Sequence, residues 1–470
     1  MNNLDVCYAT IEELAILIEN KKLSPTELIQ SHLDRIKATE PILNSFITVL
    51  AEHALSSAQT VEKEIYEGNY KGIFHGIPLA LKDIYYTQGI PTTSGIRIYE
   101  SLIPEFNSTV YTKLKNAGSI LIGKSNLHPL ALGGTGENSD FGNTYNPWNT
   151  HMLAGGSSSG SASAVAGGQC TFAMGTDTGG SVRIPSSFCG LVGLKPTFGL
   201  VSKHGVGTLA PSMDHCGPIA RTVLDCALIL NVISGYDNKD HSSSKSNVSD
   251  FTDTIKDGVK GIRIGIPVQF FEVPIDPEVK EAVLKSIEQL EEMGAVISEI
   301  SWPSFHKVVD IGSKLLSAEA AAAHKNILLT QGMKLPEDVR ARLESGLLIT
   351  AVDYIEFQKF RRQFNEESLE LMKTIDVIIG PTEPMTAFAP ETSKVMLDSS
   401  EIDARTAVST YTRIFNLNGF PAITLPCGFS KHNLPIGLQL AGKPFQDATI
   451  LRVAYAYQQV NKWHHRRPLL

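Results

Sequence analysis

Residues 175–185 read GTDTGGSVRIP, and this glycine-rich stretch contains Ser181, a serine in the setting of an activated nucleophile. A serine hydroxyl attacks a carbonyl carbon efficiently only when a base takes its proton and fixed N–H groups stabilise the oxyanion that forms. Gly179 and Gly180 have no side chains, so backbone amides can approach an oxyanion beside the serine. The stretch therefore predicts acyl chemistry centred on Ser181.

Two further tracts supply a second hydroxyl and a base. Residues 155–161 read GGSSSGS and contain Ser157, and residues 76–83 read GIPLALKD, where Lys82 follows a short apolar run that predicts a buried strand. A solvated lysine has a pKa near about 10.4 and is charged at neutral pH, whereas burial disfavours the ammonium form. We therefore expect Lys82 to be buried and to act as a proton acceptor.

Together the three tracts resemble the amidase signature family, whose members hydrolyse amides or related acyl compounds with a Ser-Ser-Lys triad. The resemblance extends to SPTEL at 24–28, CGLVGLKPT at 189–197 and LPIGLQL at 434–440. It implies an α/β fold in which a mixed central β-sheet is covered by α-helices on both faces. We expect one amidase domain over residues 1–470.

The resemblance also assigns roles to individual residues. Ser181 becomes the nucleophile that carries the acyl group, Ser157 relays the proton, and Lys82 is the base. The peptide bond between Gly156 and Ser157 is expected to be cis. The candidate oxyanion hole is formed by the backbone amides of Thr178, Gly179, Gly180 and Ser181.

Other residues have supporting roles. Asp177 and Arg183 flank the nucleophile, and we expect their opposite charges to pin the loop that presents it. Ordinary packing or turn formation is the alternative role for each candidate wall residue of the substrate pocket. These candidates are Tyr85, His128, Gly133, Gly134, Thr135 and Arg342.

Three functions are compatible with these tracts. The preferred one is a stand-alone amidohydrolase that cleaves small uncharged amides or carbamates, including urethane-like substrates and anilides. The glutaminase A subunit of a tRNA-dependent amidotransferase is the alternative, and we rank it second because residues 338–354 lack the expected Gly-Thr-Tyr signature. A non-catalytic scaffold is the third, although an intact triad argues against it.

Composition and charge argue against several other classes of protein. The chain has 41 Lys and Arg residues against 49 Asp and Glu residues, with no long basic run, so we expect no nucleic-acid partner. Its six cysteines have neither CxxC pairs nor metal-ligand spacing, and we expect no metal and no cofactor. No apolar run reaches about 18 residues, which predicts no membrane association and a cytoplasmic location. By resemblance, the chain is expected to form a homodimer.

Hydrophobic periodicity predicts alternating strands and helices. Ser24, Pro25 and Glu27 form a capping box for a helix that ends near residue 36. Short apolar runs predict strands at 77–81, 120–122, 172–174, 262–266, 377–379, 422–425 and 438–440. Helices are predicted at 161–168, 276–293, 352–374, 406–417 and 447–462. The family resemblance makes residues 314–364 a variable helical region that shapes the pocket, and the polar tract 237–257 predicts a surface loop.

Overall fold

A large mixed sheet runs through the computed structural model, which describes residues 3–246 and 248–470. Positions 1, 2 and 247, the last of which belongs to the predicted surface loop, lie outside the described residues. The strands are β1 (Phe46–Val49), β2 (Pro78–Lys82), β3 (Ile120–Ser125), β4 (Tyr145–Asn146), β5 (Asn149–Leu153), β6 (Phe172–Asp177), β7 (Val192–Lys195), β8 (His215–Ala220), β9 (Arg263–Pro267), β10 (Val296–Ile300), β11 (Val377–Pro381), β12 (Lys394–Leu397), β13 (Ser400–Asp403), β14 (Ala422–Phe429) and β15 (Pro435–Gly442).

Helices cover this sheet. They are α1 (Asn3–Cys7), α2 (Ile11–Glu19), α3 (Pro25–Leu43), α4 (Ala51–Tyr66), α5 (Thr109–Asn116), α6 (Ser159–Ala166), α7 (Arg183–Phe188), α8 (Val223–Ile233), α9 (Pro277–Glu292), α10 (Phe305–Ala323), α11 (Lys325–Gln331), α12 (Glu337–Leu347), α13 (Ala351–Leu371), α14 (Ala404–Ala407), α15 (Arg413–Leu417) and α16 (Asp447–Asn461). No helix within the described ranges is both long and apolar enough to cross a membrane.

The strand order of the large sheet is β1-β3-β2-β6-β8-β7-β14-β15-β11-β9-β10. Strand β2 is parallel to both β3 and β6, whereas β8 is antiparallel to β6. Two small hairpins, β4-β5 and β12-β13, lie outside this sheet. Because β2 and β6 run in the same direction, Lys82 and Asp177, the last residues of these strands, reach the same edge of the sheet.

The two faces of the sheet have different side chains because successive residues of a strand point in opposite directions. Leu79 and Leu81 of β2 belong to one apolar cluster, and Ala80 between them belongs to another. The second cluster also contains Ala162 and Ala164 of α6, so small side chains on both elements allow this helix to lie close to the sheet.

Most of the predicted elements are present with changed ends. All seven predicted strands are found, as β2, β3, β6, β9, β11, β14 and β15. The Ser24 capping box is confirmed, but α3 continues past the predicted end to Leu43. The continuous helix predicted over 406–417 is wrong, because this segment contains a non-helical turn between α14 and α15. In this turn, the Thr412 backbone carbonyl accepts a hydrogen bond from Arg183 Nη1 at 2.9 Å. The Thr412 side-chain hydroxyl donates to the Gly179 carbonyl at 2.8 Å.

Candidate active site

The lysine and the two serine tracts meet at the edge where β2 and β6 end. Lys82 is the last residue of β2, and Ser157 lies two residues before α6. The Ser161 hydroxyl of α6 donates to the Met174 carbonyl of β6 at 3.1 Å, which ties the serine-rich helix to the neighbouring strand. Ser181 follows β6 in the loop that leads into α7.

Lys82 has the environment expected of a neutral amine. Its side chain is fully buried, and Nζ lies 2.7 Å from both Ser157 Oγ and Thr176 Oγ1. Burial lowers the pKa of Lys82 to about 7, although the negative charges of Asp177 and Asp214 oppose this shift. Burial thus makes the neutral amine much more accessible near neutral pH than it is for a solvated lysine.

The backbone joins the two serine loops to each other. The Ser158 amide donates to the Ser181 carbonyl at 3.2 Å, and the His128 amide donates to the Ser157 carbonyl at 3.1 Å. The peptide bond between Gly156 and Ser157 is cis, as the resemblance implies. Ser157 is fully buried, whereas Ser181 is 7% exposed, so Ser181 is the more accessible of the two serines.

A buried ion pair lies at the base of the loop that contains Ser181. Arg183 Nη2 and Nε donate to the Asp177 carboxylate at 2.9 and 3.0 Å, as expected from their opposite charges. The same carboxylate accepts hydrogen bonds from the Val182 amide and from Asn416 Nδ2. Burial opposes ionisation of Asp177, but the charge and hydrogen bonds of Arg183 outweigh it and hold the pKa of this carboxyl well below its usual range.

Gly180 occupies a position that only glycine fits. Its φ is +127°, and a Cβ on this residue would lie 2.3 Å from Thr412 Oγ1. The Gly180 amide donates to Asp177 Oδ1 at 2.8 Å. This amide therefore already has an acceptor, which makes it a poorer candidate for an oxyanion donor than the amides of Thr178, Gly179 and Ser181.

A cavity opens beside Ser181. Five of the six predicted wall residues line it: His128, Gly133, Gly134, Thr135 and Arg342. The prediction for Tyr85 is wrong: this residue is not among the described residues that line the cavity. Tyr85 is fully buried, and its hydroxyl donates to the Gly175 carbonyl at 2.6 Å within the core.

The same cavity contains residues that the sequence patterns did not single out. Asp338, Arg405, Ser409 and Arg413 line it, and Thr176 beside Lys82 was also missed. Two sequence signals could have identified two of these residues. Arg413 is a lone arginine in an apolar stretch, and Thr176 carries a hydroxyl on the strand that precedes Ser181. Among the residues that the structure describes, no group of three or more His, Cys, Asp or Glu side chains could hold a metal ion.

This chain is similar to several known proteins. A relative from Thermosynechococcus vestitus (strain NIES-2133 / IAM M-273 / BP-1), named as the A subunit of glutamyl-tRNA(Gln) amidotransferase, is 39% identical over 98% of this chain and 100% of its own length. The solved structure of the corresponding A subunit from Thermotoga maritima has a TM-score of 0.82 at 35% identity, with 97% of this chain and 95% of that one covered.

A further solved structure comes from a vestigial protein complex that reveals the evolutionary origins of an s-triazine catabolic enzyme. It has a TM-score of 0.93 at 28% identity and covers 98% of this chain and 100% of that one. The family model described as Amidase matches residues 27–451. With the lysine and serine tracts assembled at one sheet edge, this match makes the chain a member of the amidase signature family.

Proposed function

We propose that this chain hydrolyses the C–N bond of an amide through an acyl-enzyme on Ser181. The observation that carries the proposal is the fully buried Lys82, whose Nζ lies 2.7 Å from Ser157 Oγ and whose pKa burial lowers to about 7. Ser181 Oγ attacks the carbonyl carbon while its proton passes through Ser157 to Lys82. The proton then moves to the leaving nitrogen as the C–N bond breaks, and water hydrolyses the ester that remains.

The oxyanion of the tetrahedral intermediate requires donors that are fixed before the reaction. We assign this role to the backbone amides of Thr178, Gly179 and Ser181. The position of Thr178 is supported by its hydroxyl, which donates to Asp214 Oδ1 at 2.7 Å. That of Gly179 is supported by its carbonyl, which accepts the hydroxyl of Thr412.

The names of the relatives favour the glutaminase A subunit of an amidotransferase over a hydrolase of small uncharged amides. Relatives that match 98% of this chain at 38–39% identity are named as that A subunit. The absence of the Gly-Thr-Tyr signature from residues 338–354 is the sequence observation that favours a stand-alone hydrolase. The two functions differ in one measurable respect, because one component of an amidotransferase is expected to need its partner proteins for full activity.

Ammonia release tests both the chemistry and the form of the enzyme. We expect the purified chain to label at Ser181 with a phosphonyl fluoride, and Ser181→Ala to abolish both labelling and ammonia release. Glutamine, simple primary amides and primary carbamates, which release ammonia, are then compared with and without added amidotransferase partner proteins, and anilides are followed by the release of the arylamine. Glutamine hydrolysis that rises on addition of the partners supports the amidotransferase role. Ammonia release by Ser181→Ala that equals wild-type release contradicts the proposed function.

A further inference from the structure

Positive charge predominates in the cavity beside Ser181. Its described lining residues include the guanidinium groups of Arg342, Arg405 and Arg413, but only one carboxylate, that of Asp338. Asp338 Oδ2 already lies 3.2 Å from His128 Nε2. Burial opposes ionisation of Asp338, but His128 and Arg405 outweigh it and lower the pKa of this carboxyl to about 2. The single negative charge is thus already engaged before any substrate enters.

The three arginines differ in how well their charges are compensated. The Arg405 side chain is 54% exposed and lies 3.7 Å from a carboxylate oxygen of Glu137, so water and an acidic neighbour both screen it. Arg342 is half-buried and donates from Nη1 to the Leu132 carbonyl at 3.0 Å. Arg413 is 7% exposed, and Nη1 donates to the Val309 carbonyl at 3.2 Å, a neutral acceptor. Arg413 is therefore the most deeply buried of these charges, and this hydrogen bond brings it no negative charge.

Arg413 also lies close to the reacting end of the cavity. A Cβ on Gly179, two residues before the nucleophile, would lie 3.4 Å from Arg413 Nε. A Cβ on Gly312 would lie 3.0 Å from Arg413 Cδ, so the glycine in α10 leaves room for the side chain. Burial and repulsion by Arg342 lower the pKa of Arg413 to about 10, and the group stays protonated at neutral pH.

Three buried polar atoms of the lining residues have no hydrogen-bond partner within the described part of the chain. They are Arg413 Nε, Ser409 Oγ and His128 Nδ1. The Arg413 amide donates to the Ser409 carbonyl at 3.3 Å, which places these two residues one turn apart. Arg413 Nε and the Ser409 hydroxyl are buried donors without acceptors, which cost free energy, and a buried charge without a counter-ion costs more. An anion in the cavity would remove both costs.

We propose that the acyl pocket selects a substrate whose acyl group ends in a carboxylate with no ammonium beside it, held by Arg413 and Arg342. The inference rests on the proposed acyl transfer to Ser181 and names its substrate class: monoamides of dicarboxylic acids. This class does not include glutamine, so the inference argues against the glutaminase role that the names of the relatives favour. A neutral amide would leave Arg413 uncompensated. An α-amino acid amide would bring an ammonium into a cavity whose one carboxylate is already engaged.

Three amides of matched length separate these cases. Glutaramate carries a terminal carboxylate, glutamine carries the same carboxylate with an ammonium beside it, and pentanamide carries neither charge. We expect kcat/KM for glutaramate to exceed that of each of the other two by about tenfold or more, the size expected for a charge-assisted hydrogen bond. Equal or faster hydrolysis of glutamine or pentanamide overturns the inference and leaves the proposed function intact.

Variants of the arginine provide the second test. Arg413→Gln is expected to lower kcat/KM for glutaramate by about tenfold to a hundredfold and kcat/KM for pentanamide by much less, so the ratio of the two values should fall about tenfold or more. Arg413→Lys keeps the charge and is expected to retain part of the preference. Arg361→Gln is the matched control, because Arg361 donates to Ser212 and the Leu417 carbonyl and is not a lining residue. A glutaramate preference that survives in Arg413→Gln contradicts the inference.

Binding to Ser181→Ala protein distinguishes failure of the inference from failure of the proposed function. Calorimetry with glutaramate and pentanamide needs no turnover. Tighter binding of glutaramate that is lost in the Ser181→Ala/Arg413→Gln double variant supports the carboxylate subsite even if the wild-type chain hydrolyses neither compound. If it hydrolyses neither compound with the partner proteins added as well, the proposed chemistry is wrong. Equal binding of the two compounds overturns the subsite.

Discussion

Lys82→Met is expected to lower kcat/KM by about 10²- to 10⁴-fold, the usual contribution of a general base. Methionine matches the length of the lysine stem and is compatible with a fully buried position, but it cannot accept a proton. Ser157 Oγ would lose the amine that lies 2.7 Å away and could no longer pass on the proton of Ser181. The steady-state rate of ammonia release from the best amide substrate measures this loss.

The pH dependence of the wild-type enzyme tests the same assignment. The neutral amine is the active form of Lys82, and burial lowers the pKa of this group to about 7. Protonation on acidification removes the base, so kcat/KM should fall as pH decreases through about 7 and reach a plateau above it. In Lys82→Met this step should disappear from the residual activity.

Lys124 provides a matched control on the neighbouring strand β3. It is also fully buried, but its Nζ lies 2.9 Å from Asp83 Oδ1 in an ion pair. Lys124→Met is expected to lower stability and to leave the pH midpoint of the folded enzyme unchanged. The base assignment is wrong if Lys82→Met keeps more than about a tenth of wild-type kcat/KM, or if the step near pH 7 is lost in Lys124→Met as well as in Lys82→Met.

The catalytic tracts could be predicted from sequence because local features encode them. Lys82 ends a short apolar strand, and the serines lie in glycine-rich turns, so both their positions and the burial of the lysine follow from neighbouring residues. Strands β7 and β8 were not predicted, because VGLK and HCGPIA contain glycine or proline, which lowers the expectation of a strand. Pairing with β14 and β6 stabilises these strands instead.

The charge of the pocket could not be predicted, because it depends on contacts between distant parts of the chain. Arg413 lies in a segment that has the pattern of a helix, and its place in the cavity is fixed by the Val309 carbonyl, 104 positions earlier. Asp338 contacts another lining residue only because the fold brings α12 beside His128, where Asp338 Oδ2 lies 3.2 Å from Nε2. The prediction of an uncharged substrate was therefore based on the lysine and serine tracts alone. The cavity beside Ser181 is lined largely by residues outside these tracts.

Asp177→Asn is expected to lower the free energy of unfolding by about 3 to 5 kcal/mol, because it leaves the buried guanidinium of Arg183 without a counter-ion. Both side chains are fully buried, so water cannot replace the lost charge. Urea unfolding at neutral pH measures the change. Glu356→Gln, which breaks an ion pair between side chains that are 60% and 62% exposed, is the control and should cost less than about 1 kcal/mol.

A double-mutant cycle separates the ion pair from the packing around it. Arg183→Met leaves Asp177 buried and unpaired, so it should also be strongly destabilising, whereas the double variant has no uncompensated charge and should lose much less than the sum of the two single losses. Because the pKa of Asp177 is held well below its usual range, the stability contributed by its carboxylate is fully present above about pH 4 and is lost only in stronger acid. Additive losses in the cycle would show that this pair does not hold the nucleophile loop, and the geometry of Ser181 would then require another support.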